Sequence, residues 1–186
     1  MAVLVSLCPA AGYCLLLKAH SRLEAVTGKS IYIVMGVSGA GKSTAAKALA
    51  QATGSLFLDA DDFHLPEIKA KLQSGTALTD EDRRPWLERL NAELRERSGQ
   101  AIFLACSALK QKYRDRLVAG LPEARIVYLK GSRELIAARL GARKGHFMPA
   151  SLLDSQFATL EEPKDALVLD ISRTKEQMVE DFLRMA

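Results

Sequence analysis

The chain has 186 residues, which suits a single domain large enough to bury a sizeable core. It is 48% apolar and 26% charged, as in an ordinary globular protein. The formal net charge of +4 favours anionic small molecules. With no Lys/Arg run and no interleaving of aromatic and basic residues, nucleic acid is not an expected partner. No stretch of eighteen uninterrupted apolar residues occurs, so no membrane-spanning helix is expected. The three cysteines, Cys8, Cys14 and Cys106, are odd in number and lack metal-ligand spacing, which argues for a reducing compartment and against a disulfide framework.

Residues 1–17 are largely apolar, with Pro9 and Gly12 inside the run and no Lys or Arg ahead of it, so they match a secretory signal only loosely. Arg22 is the sole arginine of this region, which weakens the competing reading of an organelle-targeting segment. Residues 1–29 are expected to be a loosely attached extension or an overlong start, ahead of one domain over residues 30–186. Ile31-Tyr32-Ile33-Val34-Met35 reads as a buried first strand, and residues 43–52 as an Ala/Lys/Leu-rich helix. A second strand over residues 55–58 runs up to Asp59, and a short helix is expected over 66–73. Thr79 and Asp82 have the spacing of a capping box, with Asp in place of Glu, ahead of a helix carrying Trp86, Leu90 and Leu94 on one face. Further strands are expected over 101–106, 125–129 and 166–169. Helices are expected over 110–119, 133–140, 151–160 and 174–185, with a basic, glycine-containing loop over 141–149. Alternating strands and helices predict an α/β fold, a five-stranded parallel sheet with helices on both faces.

Gly36-Val37-Ser38-Gly39-Ala40-Gly41-Lys42-Ser43 fits G-x-x-x-x-G-K-[ST] at every fixed position, between a predicted strand and a predicted helix. Glycines let the backbone fold so that successive N–H groups face phosphate oxygens, and the helix start adds the positive end of its dipole. Lys42 is expected at the β- and γ-phosphates of ATP, the Ser43 hydroxyl on Mg²⁺, and Thr44 at the α-phosphate. The motif argues for nucleotide binding; transfer needs a metal ligand and a group that activates an acceptor. Asp59, Asp61 and Asp62 follow the second strand, where parallel sheets bind ligands. Asp59 and Asp61 are two apart, so an extended segment would put them on one side. One can hold the Mg²⁺ water shell and the other can accept a proton from an attacking hydroxyl. Arg139 and Arg143 share a face if their helix continues that far. They lead into Lys144, Gly145 and His146, which suits a basic lid. A kinase is thereby favoured over a nucleotide-binding module without phosphotransfer.

These segments together resemble the P-loop type of gluconate kinases. The resemblance spans residues 31–170. Its more specific parts are Asp59-Ala60-Asp61-Asp62-Phe63-His64, Asp82-Arg83-Arg84-Pro85-Trp86, Cys106-Ser107-Ala108-Leu109-Lys110, His146-Phe147-Met148-Pro149 and Gln156-Phe157-Ala158-Thr159-Leu160-Glu161. One segment departs: His64-Leu65-Pro66-Glu67-Ile68-Lys69 stands where the family places His-Pro followed closely by Asn. The resemblance implies a shikimate-kinase-like P-loop fold with a lid, ATP:gluconate 6-phosphotransferase activity, and a cytoplasmic homodimer. It makes Asp61 the base near the sugar-acid hydroxyl and puts His64, Arg83, Lys110 and Arg114 at the acceptor; with Asp61 so used, Asp59 is left with Ser43 for the metal, and His146 of the basic lid is a further candidate at the acceptor. A carboxylate acceptor would be met by guanidinium or ammonium groups. Shikimate or another small hydroxylated acid is the alternative acceptor.

Overall fold

The computed structural model describes residues 29–73, 78–142 and 150–186. The extension expected over 1–29 lies outside them except for Lys29. So do residues 143–149 of the expected lid, including Arg143 and His146.

Five strands, β1 (Ile31–Met35), β2 (Leu56–Asp59), β3 (Ile102–Ala105), β4 (Ala124–Lys130) and β5 (Ala166–Asp170), form one sheet in the order β2-β3-β1-β4-β5. Every neighbouring pair is parallel, with Ile33 of β1 opposite both Leu104 and Ile126. The helices are α1 (Lys42–Thr53), α2 (Pro66–Gln73), α3 (Asp80–Glu96), α4 (Gln111–Val118), α5 (Arg133–Gly141), α6 (Ala150–Thr159) and α7 (Lys175–Met185). Among the described residues no helix is long and apolar enough to cross a membrane.

The two faces of the sheet follow from the period of two along each strand. Ile31, Ile33 and Met35 point to one side, where they join Trp86, Leu87, Leu90 and Leu94 of α3 and Leu117 of α4. Tyr32 and Val34 point to the other, against Leu49 of α1, Leu153 of α6 and Phe182 of α7. There Tyr32 stacks on Phe103 at 4.8 Å, and the edge of Phe182 closes on both rings at 5.0 and 5.4 Å. All five β1 residues are buried, as a central parallel strand covered on both faces must be. The expected three-layer α/β/α architecture is the one formed.

The expected capping box opens α3. The Thr79 hydroxyl accepts the Asp82 N–H at 3.2 Å, and the Asp82 carboxylate accepts the Thr79 N–H at 3.0 Å. A second box, Thr174 with Gln177, opens α7. The helix expected from residue 110 begins at Gln111, leaving Lys110 as an extended N-cap (φ −94°, ψ 148°) whose side chain is free to point away from the helix. β1 sits where the strand order reverses, so the loops leaving β1, β2 and β3 converge at the carboxyl edge of the sheet. That crevice is where open α/β sheets bind ligands.

Candidate active site

The turn from β1 into α1 wraps an anion-binding concavity. Gly39 (φ 85°) and Gly41 (φ 89°) take left-handed conformations. A Cβ on Gly39 would also stand 2.7 Å from Leu140 Cγ and 3.0 Å from Ile136 Cγ2, so α5 packs on the bare backbone of the loop. Val37 is buried and anchors the turn to the core. Lys42 Nζ reaches back to donate to the Val37 carbonyl at 3.2 Å. Burial lowers the Lys42 pKa, opposed by the nearby carboxylates of Asp61 and Asp59. The Cys106 thiol is itself pushed up to about 12 by burial, so it stays neutral and is no nucleophile. Ser43 Oγ donates to Asp59 Oδ2 at 2.7 Å, bringing a hydroxyl and a carboxylate from two elements to one point. Two such oxygens suit a hard cation that also takes phosphate oxygens and water.

Asp59 and Asp61 come together, though not through an extended strand as expected. β2 ends at Asp59, whose Oδ1 accepts the Asp61 N–H at 3.2 Å and so caps a 3₁₀ turn over Ala60–Phe63. The turn leaves the Asp61 side chain exposed. His64 is buried, with its Nε2 3.5 Å from Asp61 Oδ1. Its ring stacks on Trp86 at 4.3 Å and 15°, and Trp86 Nε1 donates to the Ala60 carbonyl at 2.9 Å. One indole thus braces both the histidine and the turn that carries Asp61. Hydrogen bonding with His64 lowers the Asp61 pKa, outweighing the smaller desolvation by the surrounding cleft, so the carboxylate is ionised at neutral pH.

Across the cleft stands a cationic shelf. The Arg83 guanidinium and the Lys110 ammonium both lie 5.6 Å from the Tyr113 ring centroid. Asp80 binds Lys110 at 3.1 Å and also hydrogen-bonds Lys112 and the Tyr113 hydroxyl. Those three contacts hold its carboxyl well below the usual range. The backbone at the shelf is strained: Ala108 has φ 40° without being glycine. Arg114, expected at the acceptor, does not reach the cleft. It is only 2% exposed and turns beneath the loop. Nη1 donates to the Ala108 and Leu109 carbonyls, each at 3.0 Å, and Nη2 to Gln111 Oε1 at 2.8 Å. Its charge therefore holds the strained turn that presents Lys110, which is why helix α4 carries a buried arginine.

A cleft of about 1540 Å³ joins these parts, large enough for two small ligands end to end. Loop residues 38–44, Asp59, Asp61, His64, Arg83 and Lys110 all border it, as does Arg139. Arg139 sits in the last turn of α5 with Nη2 on the Ile171 carbonyl. The helix is described over Arg133–Gly141, and the expected alignment of Arg139 with Arg143 lies outside the described residues. Sequence reasoning missed three residues of this constellation. Asp80 reads as an ordinary acidic first-turn residue, and Trp86 as a core residue on the Leu90 face. Tyr113 carries a legible signal, three positions beyond Lys110.

A phosphate-binding turn facing an exposed carboxylate and a cationic shelf in one cleft defines a P-loop kinase of small molecules. A family model described as an AAA domain matches residues 31–163. The thermoresistant gluconokinase of Escherichia coli (strain K12) is 44% identical over 155 residues, 80% of this chain and 89% of the relative. The crystal structure of a gluconokinase from Sinorhizobium meliloti 1021 superposes with a TM-score of 0.78 at 39% identity, covering 85% of this chain and 91% of that one. A shikimate kinase from Bacteroides thetaiotaomicron shares the fold at TM-score 0.61 and 17% identity, covering 84% of this chain and 97% of that one. The chain belongs to the gluconokinase family.

Proposed function

We propose that the chain transfers the γ-phosphoryl group of MgATP to the 6-hydroxyl of D-gluconate, giving 6-phospho-D-gluconate and ADP. The observation that carries this reading is the opposition, in one cleft, of the Lys42 turn and the Arg83–Lys110 shelf, with Asp61 exposed between them. The family relationship supports gluconate as the acceptor.

In this reading the backbone N–H groups of residues 38–44 and Lys42 hold the polyphosphate. Lys42, already desolvated, takes up charge that grows on the phosphate oxygens. Ser43 and Asp59 would hold Mg²⁺, which when bound would neutralise charge on the phosphates. Arg83 and Lys110 bind the acceptor carboxylate, and Lys110 exchanges its Asp80 partner for it. Asp61 accepts the hydroxyl proton as oxygen attacks phosphorus and the bond to the ADP oxygen breaks. His64 steadies Asp61 and Arg139 borders the transferring phosphate. Arg143 is assigned with Arg139 to the charge on the transferring phosphate and His146 to the acceptor, and both lie outside the described residues. The protein acts as a cytoplasmic homodimer, an assignment supported by the family resemblance and testable by light scattering.

An acceptor panel of gluconate, shikimate and other hydroxylated acids, read by ADP release with mass spectrometry locating the phosphate, tests the assignment. Turnover confined to gluconate, with phosphate on C6, is the expected result. Faster turnover of another acid, or ATP binding without any phosphorylated product, would overturn it.

A further inference from the structure

Helix α6 sends one side chain into the phosphate-binding turn from 118 positions away. The Ser38 N–H donates to Gln156 Oε1 at 2.7 Å, and Gln156 Nε2 donates to Ser38 Oγ at 3.1 Å. The orientation of the amide is dictated chemically: a backbone N–H can only donate, so the atom facing it must be the oxygen. Ser38 is the third residue of the loop, and N–H groups of such a turn are those that meet phosphate oxygens. The Gln156 oxygen therefore competes with phosphate for the same donor. A charged phosphate oxygen is the stronger acceptor. Once it has taken the N–H, half a turn about the last side-chain bond aims the amide NH₂ at the phosphate.

The helix that carries Gln156 is held at several points. Leu153 is buried in the core, and Asp154 pairs with Arg133 of α5 at 2.6 Å. Just past the helix end, Glu161 donates its N–H to the Leu109 carbonyl at 2.9 Å and accepts the Gln111 N–H at 2.6 Å, on either side of Lys110. The amide is thus kept within reach of the terminal phosphate by a helix that is tied to both ends of the cleft.

We propose that Gln156 is a further residue of the phosphoryl-transfer site, yielding the Ser38 N–H to the terminal phosphate of the nucleotide and donating its own NH₂ to that phosphate. The inference rests on reading the cleft as a phosphotransfer site. It does not depend on which acid accepts the phosphate.

Two variants in the full chain test it, Gln156→Leu and Gln156→Glu, with affinities for MgADP and a non-hydrolysable MgATP analogue measured by calorimetry. Gln156→Leu is expected to lower kcat about 10- to 100-fold while ADP affinity stays within threefold and the melting temperature within a few degrees. Gln156→Glu keeps an acceptor for Ser38 but sets a negative charge beside the terminal phosphate. It should weaken the triphosphate about tenfold more than the diphosphate. Wild-type kcat in Gln156→Leu would overturn the proposal. So would equal weakening of both nucleotides in Gln156→Glu together with a lower melting temperature, the signature of a brace alone. The calorimetry uses no acceptor, so it decides the role of Gln156 even where the gluconate assignment itself fails.

Discussion

The two ends of the cleft are built in opposite ways. The nucleotide end is one continuous segment, residues 36–44, whose donors are mostly backbone N–H groups shaped by glycine conformations at Gly39 and Gly41. The opposite end, proposed for the acceptor, is assembled from side chains on separate elements: Asp61 and His64 after β2, Asp80, Arg83 and Trp86 on α3, Lys110 and Tyr113 around the start of α4. The first kind of site survives wherever the strand–turn–helix forms. The second depends on braces such as Trp86, stacked on His64, and Arg114, drawn beneath the Lys110 turn. Substitutions at the two ends should therefore fail differently.

The largest effect falls where the ends meet the reaction. Lys42→Ala should lower kcat on the order of 10³-fold or more, because it removes a half-buried, desolvated cation from the developing charge. Its melting curve should stay close to wild type, and retained turnover would remove Lys42 from the chemistry. Asp61→Asn should reduce kcat about 10²- to 10⁴-fold with ATP affinity nearly unchanged. Equal losses of turnover and ATP affinity would instead make Asp61 part of the nucleotide end. Lys110→Ala should raise the acceptor KM about 10- to 100-fold and leave the ATP KM within twofold, as loss of one charge-assisted contact predicts. If both KM values rose together, the division of the cleft would be wrong.

Arg114→Met separates support from contact. It strips the Ala108 and Leu109 carbonyls of their donor and should cost about 2–4 kcal/mol, seen as a melting temperature lower by roughly 10 °C. An undiminished melting temperature with a raised acceptor KM would return Arg114 to the binding surface. The smallest expected change is His64→Phe, which preserves a ring against Trp86 but removes the nitrogen beside Asp61. That contact lowers the Asp61 pKa, so the carboxylate stays ionised as pH falls until its depressed pKa is reached. Without the contact the pKa rises, and the acid limb of kcat/KM should move to higher pH, with less than about tenfold change in kcat at pH 8. An acid limb that does not move would mean His64 does not tune the base.

Legibility in the sequence divided along the same line. The five strands, the parallel sheet and the capping box at Thr79–Asp82 were readable because each depends on local periodicity or on residues three apart. The phosphate turn was readable because its glycine positions are dictated by backbone geometry. Lys110 and Arg114, four apart and alike in charge, were not distinguishable before folding. One faces the cleft as an N-cap outside α4, the other is drawn under the turn by two carbonyls. Asp61 was named for its spacing from Asp59, but the side chain is aimed by the 3₁₀ turn that Asp59 caps.

The order of the chain alone determined an α/β sheet with a polyphosphate turn at its edge, since hydrogen-bond period and glycine dihedrals act within a few residues. Packing decided which cations face the cleft, which arginine becomes a strut, and that a glutamine 118 positions away leans on Ser38. Such meetings are set by how helices rest on the two faces of the sheet, and a side chain's direction there is fixed only once its distant neighbours are in place.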